Sequence, residues 1–324
     1  MIEKNSYTSA NSLPVKIFSH KELLESIDSG KGIIPIHLQV NPTNKCPLNC
    51  SFCSCANRDK SAEIGYNELM RATEKFIKLG IKAVTITGGG DPLAYEKLPD
   101  YIEYLYAAGI DSSLVTNGVL FKTFDDLSFL EKLTWARISL SDNRQLRKEE
   151  IGNAIAHDTD WSFSYVVSKV QPDIVNIINS IRFANEHNFT HVRIVDDIIG
   201  GRESALQHIK EMLIESGEDV SRVIWQGRKT YNLGREQCLI SLLKPNLTPD
   251  GMIVGCCGVQ YSSNPPMLDW PRMYSLGTID DIEKIYSEQK FFDGRKCVRC
   301  YYDNYNAILS GLVDVPEMKH ENFV

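Results

Sequence analysis

The stretch Ile34-Pro35-Ile36-His37-Leu38-Gln39-Val40 runs straight into Asn41-Pro42-Thr43-Asn44-Lys45-Cys46-Pro47-Leu48-Asn49-Cys50-Ser51-Phe52-Cys53. Its first part alternates and is rich in branched side chains, which predicts a strand over 34–40. Three thiols follow on the loop that leaves that strand. Outward from here the pattern repeats. Residues 66–80 carry apolar side chains at helical spacing and end in a glycine. Strand 83–87 ends in Gly88-Gly89-Gly90-Asp91-Pro92. Then come a helix near 97–108, strand 112–116 ending in Asn117-Gly118, a helix near 124–132 and strand 136–140. Strand 162–167, a helix near 174–187, strand 191–195 and a helix near 203–216 complete six βα units. Strands alternating with helices imply an α/β fold with a parallel sheet, either open and doubly wound or barrel-like. In both, ligands gather at the C-terminal ends of the strands, where each of these motifs falls.

Residues 1–33 read as a lead-in with one short helix, Ser19-His20-Lys21-Glu22-Leu23-Leu24-Glu25-Ser26-Ile27-Asp28. The rhythm breaks near residue 220. Residues 221–324 hold turn signals and five cysteines, and are expected to form a separate cysteine-rich domain after a 34–220 barrel domain.

The chain of 324 residues is 43% apolar and 24% charged, ordinary for a globular protein. Its net charge of −7 and pI of about 5.6 disfavour a nucleic-acid partner held through phosphates. No eighteen-residue apolar run and no signal-peptide core are present, so no membrane contact and a cytoplasmic location are expected. The nine cysteines fall into two groups. Cys46, Cys50, Cys53 and Cys55 lie near the start; Cys238, Cys256, Cys257, Cys297 and Cys300 lie near the end. Clustered cysteines in such a protein bind metal or react, and two separate sites are expected. Three thiolates on one loop hold three irons of a cubane and leave the fourth iron open. A structural zinc site wants four ligands, with Cys55 as the candidate fourth.

The spacing Cys46-x-x-x-Cys50-x-x-Cys53, with aromatic Phe52 before the third cysteine, resembles the signature of the radical S-adenosylmethionine (SAM) superfamily. Gly88-Gly89-Gly90-Asp91-Pro92 stands where that family has a Gly-Gly-Glu-Pro-type motif, with Asp91 in place of the commoner Glu. Asn117, and Ser139 and Ser141 at the end of the fourth strand, also match family features. The resemblance covers roughly residues 34–200 and implies a partial (βα)6 TIM-type barrel. It implies a [4Fe–4S] cluster on Cys46, Cys50 and Cys53, and SAM bound near Phe52, Gly88, Gly89, Gly90, Asp91, Asn117, Ser139 and Ser141. It further implies one-electron cleavage of the sulfonium to methionine and a 5′-deoxyadenosyl radical, with an electron donor such as flavodoxin or ferredoxin. Cys55 is expected to be a buried bystander.

Cys238, followed by twelve residues, Gly251, four residues and Cys256, reads as a hairpin with a cysteine on each arm. Cys297-Val298-Arg299-Cys300 adds a knuckle. The set Cys238, Cys256, Cys297 and Cys300 resembles the twitch or SPASM extension of radical SAM enzymes, here with one auxiliary [4Fe–4S] cluster; a zinc ribbon is the other reading. Which of Cys256 and Cys257 ligates stays open.

Arg202, beside Gly200 and Gly201, is a candidate grip for a carboxylate of SAM or substrate. Asp196, Asp197, Tyr165, Tyr301, Tyr302, Asp303, Trp225 and Gln226 are further candidates, more naturally read as packing or caps. His37 reads as structural. The expected substrate is a small polar metabolite, such as a deazapurine-like heterocycle, undergoing lyase, dehydrogenase or epimerase chemistry. The short lead-in leaves no room for a leader-binding domain, so a peptide maturase would need a separate partner. A zinc-stabilised binding module is the alternative of another class.

Overall fold

The computed structural model describes residues 16–142, 144–168, 171–197, 204–227, 232–261, 270–300 and 302–313. Strands β1 (His37–Val40), β2 (Ala83–Ile86), β3 (Asp111–Thr116), β4 (Trp135–Ser141), β5 (Asp160–Val167), β6 (His191–Asp196) and β7 (Val223–Gln226) lie side by side in chain order, all parallel. On the other side of β1, β8 (Asn246–Leu247) pairs in parallel, and β9 (Met252–Val254) and β10 (Ser275–Thr278) extend the sheet antiparallel. The sheet is open, with β7 and β10 at its edges. The α/β partial barrel expected from the sequence is therefore present.

Helices α1 (Lys21–Asp28), α2 (Tyr66–Leu79), α3 (Leu98–Ala107), α4 (Ile174–Glu186) and α5 (Leu206–Glu215) agree with the expected ones. In α2, Leu69, Ala72, Thr73 and Phe76 are buried, the stripe that a 3.6-residue period puts on one face. It stops at Gly80, whose φ of 102° suits a residue without a Cβ. Full burial of Phe76, edge-on to Tyr286, contributes about 2 kcal/mol. Asp173 caps α4, its carboxylate accepting from Asn176 N at 3.0 Å.

Three details differ from expectation. The segment near 124–132 forms two short 3₁₀ turns, Phe121–Thr123 and Ser128–Lys132, rather than an α-helix. Asp126 accepts from both the backbone N and the hydroxyl of Ser128, a local bond that competes with helix growth. Secondly, β7 lies beyond residue 220 and continues the barrel sheet; at four residues its pattern is too short to read. Thirdly, Cys238 lies ahead of the hairpin β8–β9, in an isolated bridge with Phe292 and before a helical turn, Ile240–Leu243. Sheet pairing of β8 with β1 is extended by Ile36 N to Leu243 O at 3.0 Å and Asn41 N to Leu247 O at 2.8 Å.

Side chains alternate along these strands. Leu38 and Val40 are fully buried towards the helices. The opposite, inner face is polar: Gln39, Thr85 and Ser113 lie in register, as do Ser139, Ser164 and Arg193. Thr85 and Ser113 share a hydrogen bond of 2.9 Å, and His37 Nε2 meets Thr85 at 2.8 Å, the structural role expected of it. No helix among the described residues is long and apolar enough to cross a membrane.

Candidate active site

The loop that leaves β1 is clamped against the loop that leaves β2. Gly90 N donates to Thr43 O at 2.9 Å and Asp91 N to Lys45 O at 2.7 Å. A Cβ on Gly90 would fall 2.1 Å from Lys45 O, and one on Gly89 1.9 Å from Asn44 Oδ1. Gly90 is therefore required for the close approach of two backbones, whereas at Gly89 a Cβ would displace the Asn44 side chain. Their first service is to the thiol loop itself.

Asp91 is buried, and its carboxylate accepts from Leu93 N at 3.0 Å, Thr116 Oγ1 at 2.8 Å and Asn117 N at 2.7 Å. Burial raises its pKa, while the Asn117, Thr116 and Leu93 hydrogen bonds pull it back down. The side chain thus ties the end of β2 to the end of β3 and sets Asn117 in place. Asn117 Nδ2 in turn points at Cys46 Sγ, 3.6 Å away.

Two further N–H groups face the thiols. Leu48 N lies 3.5 Å from Cys46 Sγ, and Arg58 Nη1 lies 3.7 Å from Cys53 Sγ. Arg58 is anchored by donating to Asn44 O at 2.8 Å and Cys55 O at 2.7 Å. Cys46, Cys50 and Cys53 are half-buried. Burial raises the pKa of Cys46 and of Cys50, and the neighbouring thiols raise Cys50 further. Donors aimed at sulfur favour thiolate, as cluster ligands require. Cys55 is turned away: buried, it donates to Gln260 Oε1 at 2.6 Å, and burial pushes its pKa up to about 12. Phe52 is half-buried in the turn closed by Cys53 N to Cys50 O at 3.1 Å.

At the end of β4, Ser139 is half-buried and Ser141 fully buried. Ser141 Oγ accepts from Arg144 N at 3.1 Å. Arg144, unremarked in the sequence, pairs with Glu150 at 2.5 Å with both side chains only 8% exposed, and reaches Asn117 O at 3.2 Å. Gly200, Gly201, Arg202 and Tyr301 lie outside the described residues. Tyr165 does not face inward. Its hydroxyl donates to Asp142 at 3.1 Å and accepts from Asn176 of α4 at 3.0 Å, on the helix side of the sheet. Asp196 accepts from Ser204, and Asp303 from Arg235 and Asn232.

The second group of thiols lies in the C-terminal part of the chain. Cys238, Cys256, Cys297 and Cys300 line one pocket with Tyr302 and Asn306. The lining includes Cys256 and not Cys257, whose sulfur meets the Tyr302 hydroxyl at 3.4 Å. Burial, and after it the neighbouring thiols, lifts Cys238 to about 11 and Cys297 to about 12. Four such thiols ionise together only around a cationic core. Among the described residues no group of three or more His, Cys, Asp or Glu is packed as a single-ion site. A cubane needs no such packing, since each thiolate meets a different iron.

Residues 40–214 match the model of the family described as the Radical SAM superfamily. The chain belongs to that superfamily. Among curated relatives, PqqA peptide cyclase of Xanthomonas campestris pv. campestris (strain B100) is 29% identical over 90 residues, 26% of this chain and 23% of the relative. The Archaeoglobus fulgidus protein named "Probable GTP 3',8-cyclase" is 26% identical over 171 residues, 52% of this chain and 51% of the relative. The chain thus spans between a quarter and half of these relatives' length. Among solved structures, Streptococcus suis SuiB bound to precursor peptide SuiA superposes with a TM-score of 0.58 at 15% identity. That match covers 89% of this chain and 76% of SuiB, and SuiB has also been solved bound to S-adenosylmethionine. The likeness is one of fold.

In a radical SAM chain the inner barrel face matters, and sequence reading passed over it. Arg137, Ser162 and His191 lie in register on β4, β5 and β6. Burial, then Arg137 and Arg193, lowers the His191 pKa to about 4. The signal was available: arginine alternates with apolar residues within two strands that read as buried.

Proposed function

We propose that this chain reductively cleaves SAM at a [4Fe–4S] cluster held by Cys46, Cys50 and Cys53, and abstracts hydrogen from a small polar metabolite. The observation that carries the reading is the set of three half-buried thiols on one loop, Cys46 and Cys53 met by N–H donors, with the fourth nearby cysteine, Cys55, bonded elsewhere. When bound, the cluster supplies one electron to the SAM sulfonium, whose C5′–S bond breaks to give methionine and a 5′-deoxyadenosyl radical. Leu48, Asn117 and Arg58 stabilise the thiolates by hydrogen bonding. Asp91 and the glycine run fix the loop that carries them. Phe52, the backbone of Gly88, Gly89 and Gly90, Ser139, Ser141 and Arg202 are the proposed SAM contacts. The polar inner face then receives a polar substrate, from which hydrogen abstraction leads to lyase, dehydrogenase or epimerase chemistry.

In the same reading Cys238, Cys256, Cys297 and Cys300 hold an auxiliary [4Fe–4S] cluster in a twitch-like domain over 221–324. Four protein ligands leave it no position for substrate, so its role is electron transfer, with flavodoxin or ferredoxin supplying the barrel cluster in the cytoplasm.

A second reading, peptide modification with a separate leader-binding protein, is favoured by the 90-residue likeness to PqqA peptide cyclase. Both readings are tested by anaerobic reconstitution followed by dithionite and SAM. 5′-Deoxyadenosine forms in the native chain and is lost in Cys46→Ala, Cys50→Ala and Cys53→Ala. Deuterium transfer into 5′-deoxyadenosine from labelled small metabolites supports the first reading. Transfer from a labelled peptide alone supports the second. Full turnover in any cysteine variant contradicts both.

A further inference from the structure

The two thiol groups share one device. At the first, Asn117 Oδ1 accepts from Val119 N at 3.0 Å, and Nδ2 is turned towards Cys46 Sγ, 3.6 Å away. At the second, Asn306 Oδ1 accepts from Ile240 N at 3.0 Å, and Nδ2 lies 3.7 Å from Cys238 Sγ. A backbone N–H only donates, so the oxygen must face Ile240 and the NH2 group must face the sulfur. Asn306 is buried and lines the pocket with Cys238, Cys256, Cys297 and Cys300. Burial raises the Cys300 thiol, and bonds from the Tyr302 backbone and the Asn306 side chain pull it back down.

Both partners of this contact are held in place. Asn306 sits on the first turn of the helix Asp303–Val313, its N donating to Tyr302 O at 2.9 Å. Asp303, at the start of that helix, accepts from Arg235 at 2.6 Å and from Asn232 at 2.9 Å. Cys238 N donates to Phe292 O at 3.1 Å, and Cys238 O accepts from Ser241 Oγ at 2.6 Å. An acceptor for Ile240 N alone could be supplied by an aspartate. Asparagine adds a buried NH2 group, and such a donor is costly unless an acceptor meets it. The acceptor it meets is the sulfur of Cys238.

We propose that Asn306 is a positioning residue of the second thiol site, its amide donating to the metal-bound thiolate of Cys238 and raising the reduction potential of the cluster held there. An N–H aimed at sulfur favours the more negative charge state. Reduction of a cubane adds negative charge to its sulfurs, so the bond stabilises the reduced form. The assignment rests on the reading above, in which Cys238, Cys256, Cys297 and Cys300 hold an auxiliary [4Fe–4S] cluster.

The test is a redox titration followed by electron paramagnetic resonance, with iron counted, on the full chain carrying Cys46→Ala, Cys50→Ala and Cys53→Ala, so that only the second site is loaded. Asn306→Leu in that background is expected to shift the reduction equilibrium about tenfold towards the oxidised form, a fall of about 59 mV for one electron. Asn306→Asp keeps an acceptor for Ile240 N and removes the amide donor, so its potential is also expected to fall while about four irons per chain remain. A native-like or higher potential in either variant, with the iron retained, overturns the proposal, since Asn306 then serves only Ile240 N. If both substitutions cost the iron, pulsed resonance of the chain labelled with ¹⁵N-asparagine reads the bond directly. A coupled amide nitrogen is expected, and its absence overturns the proposal. Zinc in place of iron at the second site would sink the cluster reading alone. The Asn306 bond is then read as zinc affinity, expected to weaken about tenfold or more in Asn306→Leu, and unchanged affinity overturns it. A second site that binds neither metal overturns both.

Discussion

The two thiol sites are built in opposite ways. Cys46, Cys50 and Cys53 come from one loop, half-buried, and owe their position to the neighbouring β2 loop and to Asn117 and Arg58. Cys238, Cys256, Cys297 and Cys300 come from three segments and face one pocket, with Cys238 and Cys297 buried. In the proposed reading the first site offers three ligands and the second four. An open site can take a substrate to its metal; a closed one can only pass electrons or hold the fold.

That contrast breaks most easily at the ligands. Cys46→Ala, Cys50→Ala or Cys53→Ala is expected to reduce 5′-deoxyadenosine to background in a chromatographic assay. Cys297→Ser with Cys300→Ser is expected to lower iron from about eight to about four per chain while some SAM cleavage remains. Iron analysis and the same chromatography check this, and complete loss of cleavage would erase the difference between the sites.

Asp91 sharpens the comparison at the level of the supporting shell. Asp91→Ala removes the acceptor for Leu93 N, Thr116 Oγ1 and Asn117 N, all in buried or half-buried surroundings. A loss of about 2–4 kcal/mol is expected in denaturant unfolding. Asp91→Asn keeps part of the bonding and is expected to lose less.

The inner face gives a pH-dependent prediction. His191 has a pKa of about 4 in the folded chain because of burial, then Arg137 and Arg193. Its unfolded value is higher, so the unfolded chain binds more protons between about pH 6.5 and 4. Its contribution to stability is complete above that window and is lost as the pH falls through it. NMR titration should find His191 neutral at pH 6, and Arg137→Gln should raise its pKa. The smallest expected effect is that of Cys55→Ala. It removes a thiol bonded only to Gln260 and its immediate neighbours, costs about 1 kcal/mol and leaves the iron count unchanged.

The same contrast explains what was legible in the sequence. The first site is local, so eight consecutive residues displayed its ligands. The barrel strands were legible because each shows two-residue alternation or a buried run beside a helical period. The pairing of β8 with β1 was not, since a two-residue strand has no periodicity and its partner lies some two hundred positions away. Nor was the service of Asp91 to Asn117, which depends on the spacing of two strand ends. Arg137 and Arg193 were in view, but the face they occupy is fixed by register, which only strand pairing reveals.

The central claim, one open site and one closed, is tested most directly by electron paramagnetic resonance of the reduced Cys46→Ala/Cys50→Ala/Cys53→Ala variant, with and without SAM. The account predicts about four irons per chain and a reduced-cluster signal that SAM leaves unchanged, against a native signal that SAM shifts. A variant without any cluster, or one whose signal still moves on adding SAM, would contradict it.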